Sequence, residues 1–250
     1  STPASSIMPK LTTGQQSVAM NDINDCYIPA GATPNDGHAQ LITVTKINLN
    51  EPTDVSSTCL SAYAFMTYTS LDNLYIASTL ATNETQFHKI ALTDLSYQAS
   101  GKVDGTINAR ANPSFRIDEQ DDHLRVVSSD YSSGEPVHKL TILNQNGGEL
   151  QKVSELPNDS NSEAIGKPGE EIYAVRFIED KAYIVTFETI DPLYVVDLSD
   201  QQAPFIAGSI EIPGFSSYLQ PLKNGLILGV GQSVDFTQIP QSGALPTIAP

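Results

Sequence analysis

The sequence predicts an all-β fold, because a strand–turn–strand pattern recurs four times along the chain. Each copy joins two apolar strands through an acidic or Asn-Gly turn. The copies lie at 64–79, 113–129, 171–187 and 218–231. Aligned on their second strands, the copies are 50, 58 and 44 residues apart, at Leu74, Leu124, Ala182 and Leu226. Such a period, with almost no helical periodicity, is typical of the four-stranded blades of a β-propeller.

Two further strands follow each of the first three hairpins, which would complete three blades. These outer strands are predicted at 87–94 and 97–103, at 138–145 and 149–156, and at 192–200 and 204–212. Segments 39–49 and 56–62 read as the outer strands of a preceding partial blade. The sequence therefore predicts about three complete blades with partial ones on either side. Residues 1–25 read as a polar strap, 26–232 as the blades and 233–250 as a Pro-rich tail unsuited to a central strand.

The hairpins are expected to close through short turns rich in Asp and Asn. The predicted turn pairs are Asp72-Asn73, Asp121-Asp122, Glu179-Asp180 and Asn224-Gly225. Residues of these types tolerate the positive φ angles that two-residue hairpins require. Further along the blades, His88 and His138 are interpreted as equivalent positions at the start of third strands.

The charge balance limits the classes of partner. The chain carries 13 basic and 29 acidic residues, for a net charge of −16. This charge repels phosphate backbones and anionic lipid, so nucleic acid and acidic membranes are poor partners. The sequence contains no apolar window long enough to span a bilayer.

Two cysteines, Cys26 and Cys59, leave two interpretations open. A disulfide between them would indicate an oxidising compartment and would stabilise the fold by about 3–4 kcal/mol. Two buried free thiols are the alternative. Neither cysteine belongs to a CxxC pair, so the spacing does not favour a metal site.

Three groups of residues are candidate sites, and none of them predicts a catalytic residue. Asp118, Asp121 and Asp122 could contribute oxygen ligands to Ca²⁺, although the same run fits a solvated hairpin tip. No other cofactor is indicated. Arg176 lies in an apolar strand and should form an ion pair, for which Asp191 and Asp197 are the candidates; contact with a ligand in the channel is the alternative. A binding surface is expected around the aromatic residues Tyr131, Phe215 and Tyr218.

The longest specific motifs are EEIYAVRFIEDKAYIVTFETIDPLYVVDLSD at 170–200 and IPGFSSYL at 212–219. In these motifs the chain resembles bacterial secreted proteins that carry a C-terminal β-propeller distantly related to WD40 repeats. The resemblance covers roughly residues 40–232. It implies a secreted, periplasmic or envelope-facing propeller of unknown activity, and it brings no catalytic residues.

The function expected from these features is a binding module that presents loops to a protein or a glycan. A propeller-type hydrolase or lyase, with carboxylates at the mouth of the channel, is the alternative. A third class is a structural domain that positions other parts of a longer polypeptide. Converging carboxylates would favour the enzyme, and an aromatic patch on one face would favour the binding module.

Overall fold

The computed structural model describes residues 8–22, 26–28, 40–79, 83–107, 112–187, 191–212 and 214–232, and nearly all of its regular structure is strand. The chain forms two compact units, one made of 1–102 with 146–150 and the other of 103–145 with 151–250. Within the described ranges, no helix has the length and apolar character needed to cross a membrane. The predicted tail at 233–250 lies outside the described residues.

The first unit begins with two separate hairpins. Strands β1 (Lys10–Thr13) and β2 (Gln16–Ala19) turn at Gly14, whose φ is +63°, inside the segment predicted as a polar strap. Strands β3 (Leu41–Ile47) and β4 (Val55–Ser61) pair antiparallel, where the outer strands of a partial blade were predicted.

A four-stranded blade follows in the same unit. Its strands are β5 (Met66–Thr69), β6 (Asn73–Thr79), β7 (Glu84–Ala91) and β8 (Tyr97–Asp104), which lie side by side in chain order. Residues 146–150 belong to this unit, and the N–H of Ser100 donates to the Gly148 carbonyl at 3.1 Å. The core of the unit contains Leu60, Ile76 and Ile90.

The second unit holds two more four-stranded sets, except for residues 146–150, which belong to the first unit. The first consists of β9 (Ile117–Gln120), β10 (His123–Asp130), β11 (Val137–Asn146) and β12 (Glu149–Leu156). The second consists of β13 (Glu171–Ile178), β14 (Lys181–Phe187), β15 (Asp191–Asp197) and β16 (Phe205–Ile212). Each set keeps chain order, which confirms the predicted all-β blades. Buried aliphatic residues from both sets, including Val127, Leu140, Ile172 and Ile184, form one core.

A final hairpin, β17 (Phe215–Pro221) and β18 (Ile227–Gln232), pairs only with itself among the described residues. Strand β18 is the second strand of its hairpin, and in the complete blades the second strand lies between the first and the third. Its Leu228 and Val230 are nevertheless about half exposed. The described part of the chain thus contains three complete blades and incomplete ones before and after them.

Three of the four predicted turns adopt positive φ. Asp121 and Asp122 have φ of 50° and 61°, Glu179 has 49°, and Asn224 has 64°. The first turn differs, because it lies at Leu71 and Asp72, and Asn73 already begins β6. The side chain of Ser70 organises this turn by accepting hydrogen bonds from the N–H groups of Asp72 and Asn73.

The blades share a buried hydroxyl at the same register position of their second strands. The hydroxyl lies four positions after the residue on which the copies were aligned, Leu74, Leu124 or Ala182. It belongs to Ser78, Ser128 and Thr186 in turn, and all three residues are nearly inaccessible to solvent. Ser78 donates to the Tyr63 carbonyl, and Ser128 donates to the Asp104 carbonyl at 2.6 Å. Thr186 donates instead to a carboxylate, as described below. Ser78 thereby ties β6 to the segment before β5, and Ser128 ties β10 to the end of β8.

The predicted equivalence of His88 and His138 is wrong. The cross-strand partner of His88 is Ile76, two residues after Leu74. In the next blade the residue equivalent to Ile76 is Val126, two residues after Leu124, and its cross-strand partner is Thr141. His88 therefore corresponds to Thr141. The connection between β10 and β11 is longer than the one between β6 and β7, so equal spacing in sequence does not give equal register.

Candidate functional site around Phe115 and Arg116

A single turn of 3₁₀ helix, Pro113–Arg116, leads into β9 and carries the central residues of the candidate site. Proline at its start presets φ for the turn. The Asn112 side chain caps it by accepting from the Ser114 N–H at 3.1 Å and from the Ser114 hydroxyl at 2.7 Å. The backbone then becomes extended at Ile117. This local structure holds Phe115 and Arg116 in defined positions.

The ring of Phe115 is half-buried and has two neighbours from other strands. The guanidinium of Arg176, on β13, lies 4.9 Å from the ring centroid. The ring of Tyr218, on β17, lies 5.8 Å away at an interplanar angle of 52°. Cation–π and tilted aromatic pairs of this kind are favourable at these distances. Phe115, Arg176 and Tyr218, all only partly buried, are called the Phe115 cluster below.

The neighbouring residue, Arg116, has no solvent exposure. Its Nη1 donates to Ser129 Oγ at 3.1 Å, and its Nη2 donates to the Ile172 carbonyl at 3.3 Å. Burial lowers the pKa of Arg116 to about 10, while Tyr131 and Glu171 act in the opposite direction. The guanidinium therefore remains charged at neutral pH.

Ser129 also forms a hydrogen bond with a buried histidine, His138. Its hydroxyl lies 2.9 Å from Nδ1 of His138, and Nε2 of His138 lies 2.8 Å from the Glu170 carbonyl. Because a carbonyl can only accept, Nε2 carries the proton, and Nδ1 accepts from the Ser129 hydroxyl. Burial lowers the pKa of His138, which keeps the imidazole neutral. The hydrogen bonds therefore run in one direction from Arg116 to Glu170.

The Glu170 side chain extends these contacts to the next blade. Its Oε2 accepts from the Thr186 hydroxyl at 2.6 Å and from the Lys167 N–H at 2.9 Å. Gly166, with φ of +87°, lies beside the His138 ring, where a side chain would approach Cδ2 to 3.1 Å. The chain from Arg116 through Ser129 and His138 to Glu170 and Thr186 is called the buried relay below. It fastens the second and third blades to each other.

A serine hydroxyl on a histidine is also the geometry of a nucleophile and its base. Here, however, Ser129 is fully buried and His138 is 3% exposed. The oxygen of Ser129 also accepts a hydrogen bond from Arg116, which lowers its nucleophilicity. The pair is closed to substrate and acts as a structural contact.

A second fully buried arginine, Arg125, accounts for one of the calcium candidates. It lies opposite Asp118 in the β9–β10 register and binds that carboxylate through Nε, at 2.9 Å, and through Nη2. Its Nη1 donates to the Glu179 carbonyl at 2.8 Å. The sequence interpretation missed Arg125 and Arg116, because neither interrupts an apolar run long enough to signal burial.

The remaining calcium candidates, Asp121 and Asp122, are exposed at the hairpin tip. Their carboxylates are not brought together with Asp118, whose partner is Arg125. Within the described ranges, no group of three or more His, Cys, Asp or Glu side chains is arranged to hold a metal ion.

The structure places Asp197 against Lys181, not against Arg176. Lys181 and Asp197 are cross-strand partners on β14 and β15, and their charged groups lie 3.3 Å apart. Hydrogen bonds from Ser199, and then from Lys181, lower the pKa of Asp197. Arg176 instead faces Tyr183 in the β13–β14 register, and β14 lies between its strand and the strand of Asp197. The side chain of Asp191 lies outside the described part of the structure.

The two described aromatic candidates, Tyr131 and Tyr218, contact different residues. Tyr218 belongs to the Phe115 cluster, and its hydroxyl donates to Gln220 at 2.6 Å. Tyr131 lies near Arg116, and its hydroxyl donates to Glu171 at 2.7 Å. Burial, followed by this bond, raises the pKa of Tyr131 to about 12. The side chain of Phe215 is not among those described. Phe115, which contacts both Arg176 and Tyr218, was missed from sequence.

Cys26 and Cys59 form a disulfide in the first unit. Residues next to it complete a short ladder, in which the Tyr27 N–H donates to the Cys59 carbonyl at 2.8 Å. The Ser61 N–H donates to the Tyr27 carbonyl, also at 2.8 Å. The bond thus fixes residues 26–28 against β4.

Comparison with known proteins agrees with this architecture. An uncharacterized protein from Methanocaldococcus jannaschii is 37% identical over 139 residues, which cover 54% of this chain and 20% of that protein. An uncharacterized protein from Archaeoglobus fulgidus is 32% identical over 148 residues, covering 59% of this chain and 22% of that protein. The chain thus matches about a fifth of the length of each relative.

These relatives are archaeal, so they do not support the expectation of a bacterial, secreted protein. A family model described as a beta propeller domain matches residues 1–244, which is nearly the whole chain. Its extent agrees with the repeated four-stranded blades found in both units. This chain therefore belongs to the β-propeller domain family.

Proposed function

We propose that this chain is a protein-interaction module whose binding face is the Phe115 cluster. A propeller scaffold hosts many unrelated functions, so the proposal rests on the site. The observation that carries it is the partly buried ring of Phe115, which contacts both the Arg176 guanidinium and the Tyr218 ring. Arginine and aromatic residues provide most hot spots at protein interfaces, while most other contacts there contribute little.

The surroundings of the cluster support this role. Phe115 is adjacent in sequence to Arg116, and the buried relay anchors Arg116 to two blades. A rigid base reduces the entropy lost when side chains are ordered in a complex. The cluster joins residues from a 3₁₀ turn, β13 and β17, so its shape depends on the folded unit and not on one loop.

The proposal is tested by site-specific photo-crosslinking followed by affinity measurement. A photo-crosslinking amino acid replaces Tyr218, and in a control chain it replaces Leu71, which is 96% exposed. A protein captured from the source organism by the first chain alone is purified and its affinity for the native chain is measured. Phe115→Ala and Arg176→Ala should then weaken binding by at least ~30-fold, the effect of a hot spot of about 2 kcal/mol.

Two controls make this result specific. Arg176→Lys keeps the positive charge but loses the planar group over Phe115, and we expect it to weaken binding nearly as much as Arg176→Ala. Val137→Ala changes an exposed residue of the same unit and should leave the affinity unchanged. Equal affinities for all four variants, with folding confirmed by circular dichroism, would contradict the proposal.

We also propose that the protein works outside the cytoplasm, at the cell envelope or beyond it. The disulfide between Cys26 and Cys59 supports this location, because such bonds persist mainly in oxidising compartments. Intracellular proteins of hyperthermophilic archaea are also rich in disulfides, so location needs its own test. Immunodetection after cell fractionation should find the protein in the envelope or the medium, and a wholly cytoplasmic pool would refute this proposal.

A further inference from the structure

A groove of about 460 Å³ in the first unit has the features of a ligand site. It is lined by residues 19–22 at and after the end of β2, by Tyr27, by 57–58 of β4 and by 94–96 of the turn between β7 and β8. Its volume lies within the range of about 300–1,000 Å³ typical of small-molecule sites. All of the lining residues belong to one compact unit.

The aromatic residue of the groove is held rigidly. Tyr27 is 41% exposed, and one face of its ring stacks on Tyr97 at 4.9 Å with an interplanar angle of 18°. Both its backbone N–H and its carbonyl are hydrogen-bonded to β4, and the adjacent Cys26 forms the disulfide with Cys59. The ring therefore forms a fixed, partly exposed platform at the groove.

The polar groups beside the platform are also oriented. Oδ1 of Asp94 accepts from the Ser96 N–H at 2.9 Å and from the Ser96 hydroxyl at 2.6 Å. The Ser57 hydroxyl donates to Oδ1 of Asn21 at 2.7 Å, which fixes the side-chain amide. A charged acceptor and an amide donor thus flank the same groove as the ring.

From this combination we infer that the groove binds a short saccharide without acidic groups. A sugar ring presents an apolar C–H face, which suits an aromatic platform, and an edge of paired hydroxyl groups, which suits carboxylate and amide partners. Asp22 and Asp94 line the groove, and the chain carries a net charge of −16, so an acidic saccharide would be repelled. Neutral sugars and amino sugars fit the site.

This inference does not depend on the Phe115 cluster, and it is tested on the full chain with defined probes. The probes are the trisaccharides of glucose, mannose and N-acetylglucosamine, with trigalacturonate as the acidic control. Binding is measured by saturation-transfer NMR and by calorimetry. We expect at least one neutral or amino trisaccharide to bind and trigalacturonate not to bind.

Matched variants locate the binding. Tyr27→Ala should reduce affinity by about 10-fold, the value of one aromatic contact, whereas Tyr27→Phe keeps the ring and should bind like the native chain. Asp94→Asn tests the carboxylate separately and should also weaken binding. Tyr63→Ala is the control, because Tyr63 is exposed to a similar degree but does not line the groove.

The result can overturn the inference in several ways. It is wrong if no trisaccharide binds at millimolar concentration, or if trigalacturonate binds as well as the neutral sugars. It is also wrong if Tyr27→Ala and Asp94→Asn, both shown to be folded by their thermal transitions, bind as tightly as the native chain. Binding of a basic peptide in place of sugar would assign the groove to a cationic ligand and refute the saccharide assignment.

Discussion

Arg125 on β10 and Asp118 on β9 are direct cross-strand partners, and two nitrogens of the buried guanidinium bind the same carboxylate. Arg125 is 1% exposed, whereas the Asp118 side chain is 27% exposed. The pair therefore places a charge inside the blade and its counter-charge at the surface. This relationship gives Asp118 a structural role, while Asp121 and Asp122 lie exposed at the hairpin tip.

Asp118→Asn should destabilise the protein by about 1.5–3 kcal/mol, because it weakens hydrogen bonds to a buried charged group. Asp122→Asn makes the same chemical change at the exposed tip of the same hairpin, and its effect should stay within about 0.5 kcal/mol. Urea denaturation of both variants measures the difference. Equal effects would mean that the ion pair does not contribute to stability.

Ser129→Ala should cost about 2–4 kcal/mol, because it leaves Arg116 Nη1 and His138 Nδ1 buried without their partner. Ser133→Ala removes an exposed hydroxyl from the following turn and should have little effect. A double-mutant cycle with His138→Gln should give a coupling of about 0.5–3 kcal/mol. Additive effects would show that Ser129 and His138 do not act together.

Stability should fall as the pH is lowered from about 6.5 to 4, in part because of His88. Burial lowers the pKa of His88 to about 4, so the folded state binds its proton less readily than the unfolded state. Stability from this group is complete above the unfolded pKa of 6.5 and is lost progressively toward pH 4, by about 3 kcal/mol in all.

Denaturation of the native chain and of His88→Gln at several pH values isolates this contribution. The variant should show a smaller loss between pH 6.5 and 4, even if it is less stable at pH 7. Parallel curves for the two proteins would rule out His88 as a source of the pH dependence.

Reduction of the bond between Cys26 and Cys59 should lower stability by about 3–4 kcal/mol, as expected for a loop whose ends are 33 residues apart. The double variant Cys26→Ser/Cys59→Ser should behave like the reduced protein, and a reductant should not affect it further. Because the bond fixes Tyr27, saccharide affinity should also fall. Unchanged stability after complete reduction would contradict this expectation.

Local pattern was sufficient for the strands of the blades, although the hairpin of β1 and β2 lies in the segment predicted as a polar strap. Strand β12 occupies 149–156 as predicted, and the tips at Asp121-Asp122 and Asn224-Gly225 adopt the expected φ angles. Alternation and turn chemistry act within a few residues, so they can be read directly from sequence.

The sites depended on long-range contacts and were predicted less well. Arg116 and Arg125 are buried because Ser129, Ile172, Asp118 and Glu179 accept their hydrogen bonds, and most of these partners are distant in sequence. Tyr218 and Arg176 were singled out, but their common neighbour Phe115 lies in a short turn with no periodic pattern. Pairing of Asp197 was mispredicted because register, not composition, selects its partner Lys181.

The repeated hydroxyls at Ser78 and Ser128 have a consequence for engineering. Ser78 donates to the carbonyl of Tyr63, shortly before β5, and Ser128 donates to the carbonyl of Asp104, the last residue of β8. A blade that is excised together with the residue whose carbonyl accepts this hydrogen bond therefore keeps the bond. A cassette of one repeat that begins at the acceptor, such as 104–156, should be a suitable unit for duplication or exchange between propellers of this family. A cut between Asp104 and β10 would separate the Ser128 hydroxyl from its acceptor.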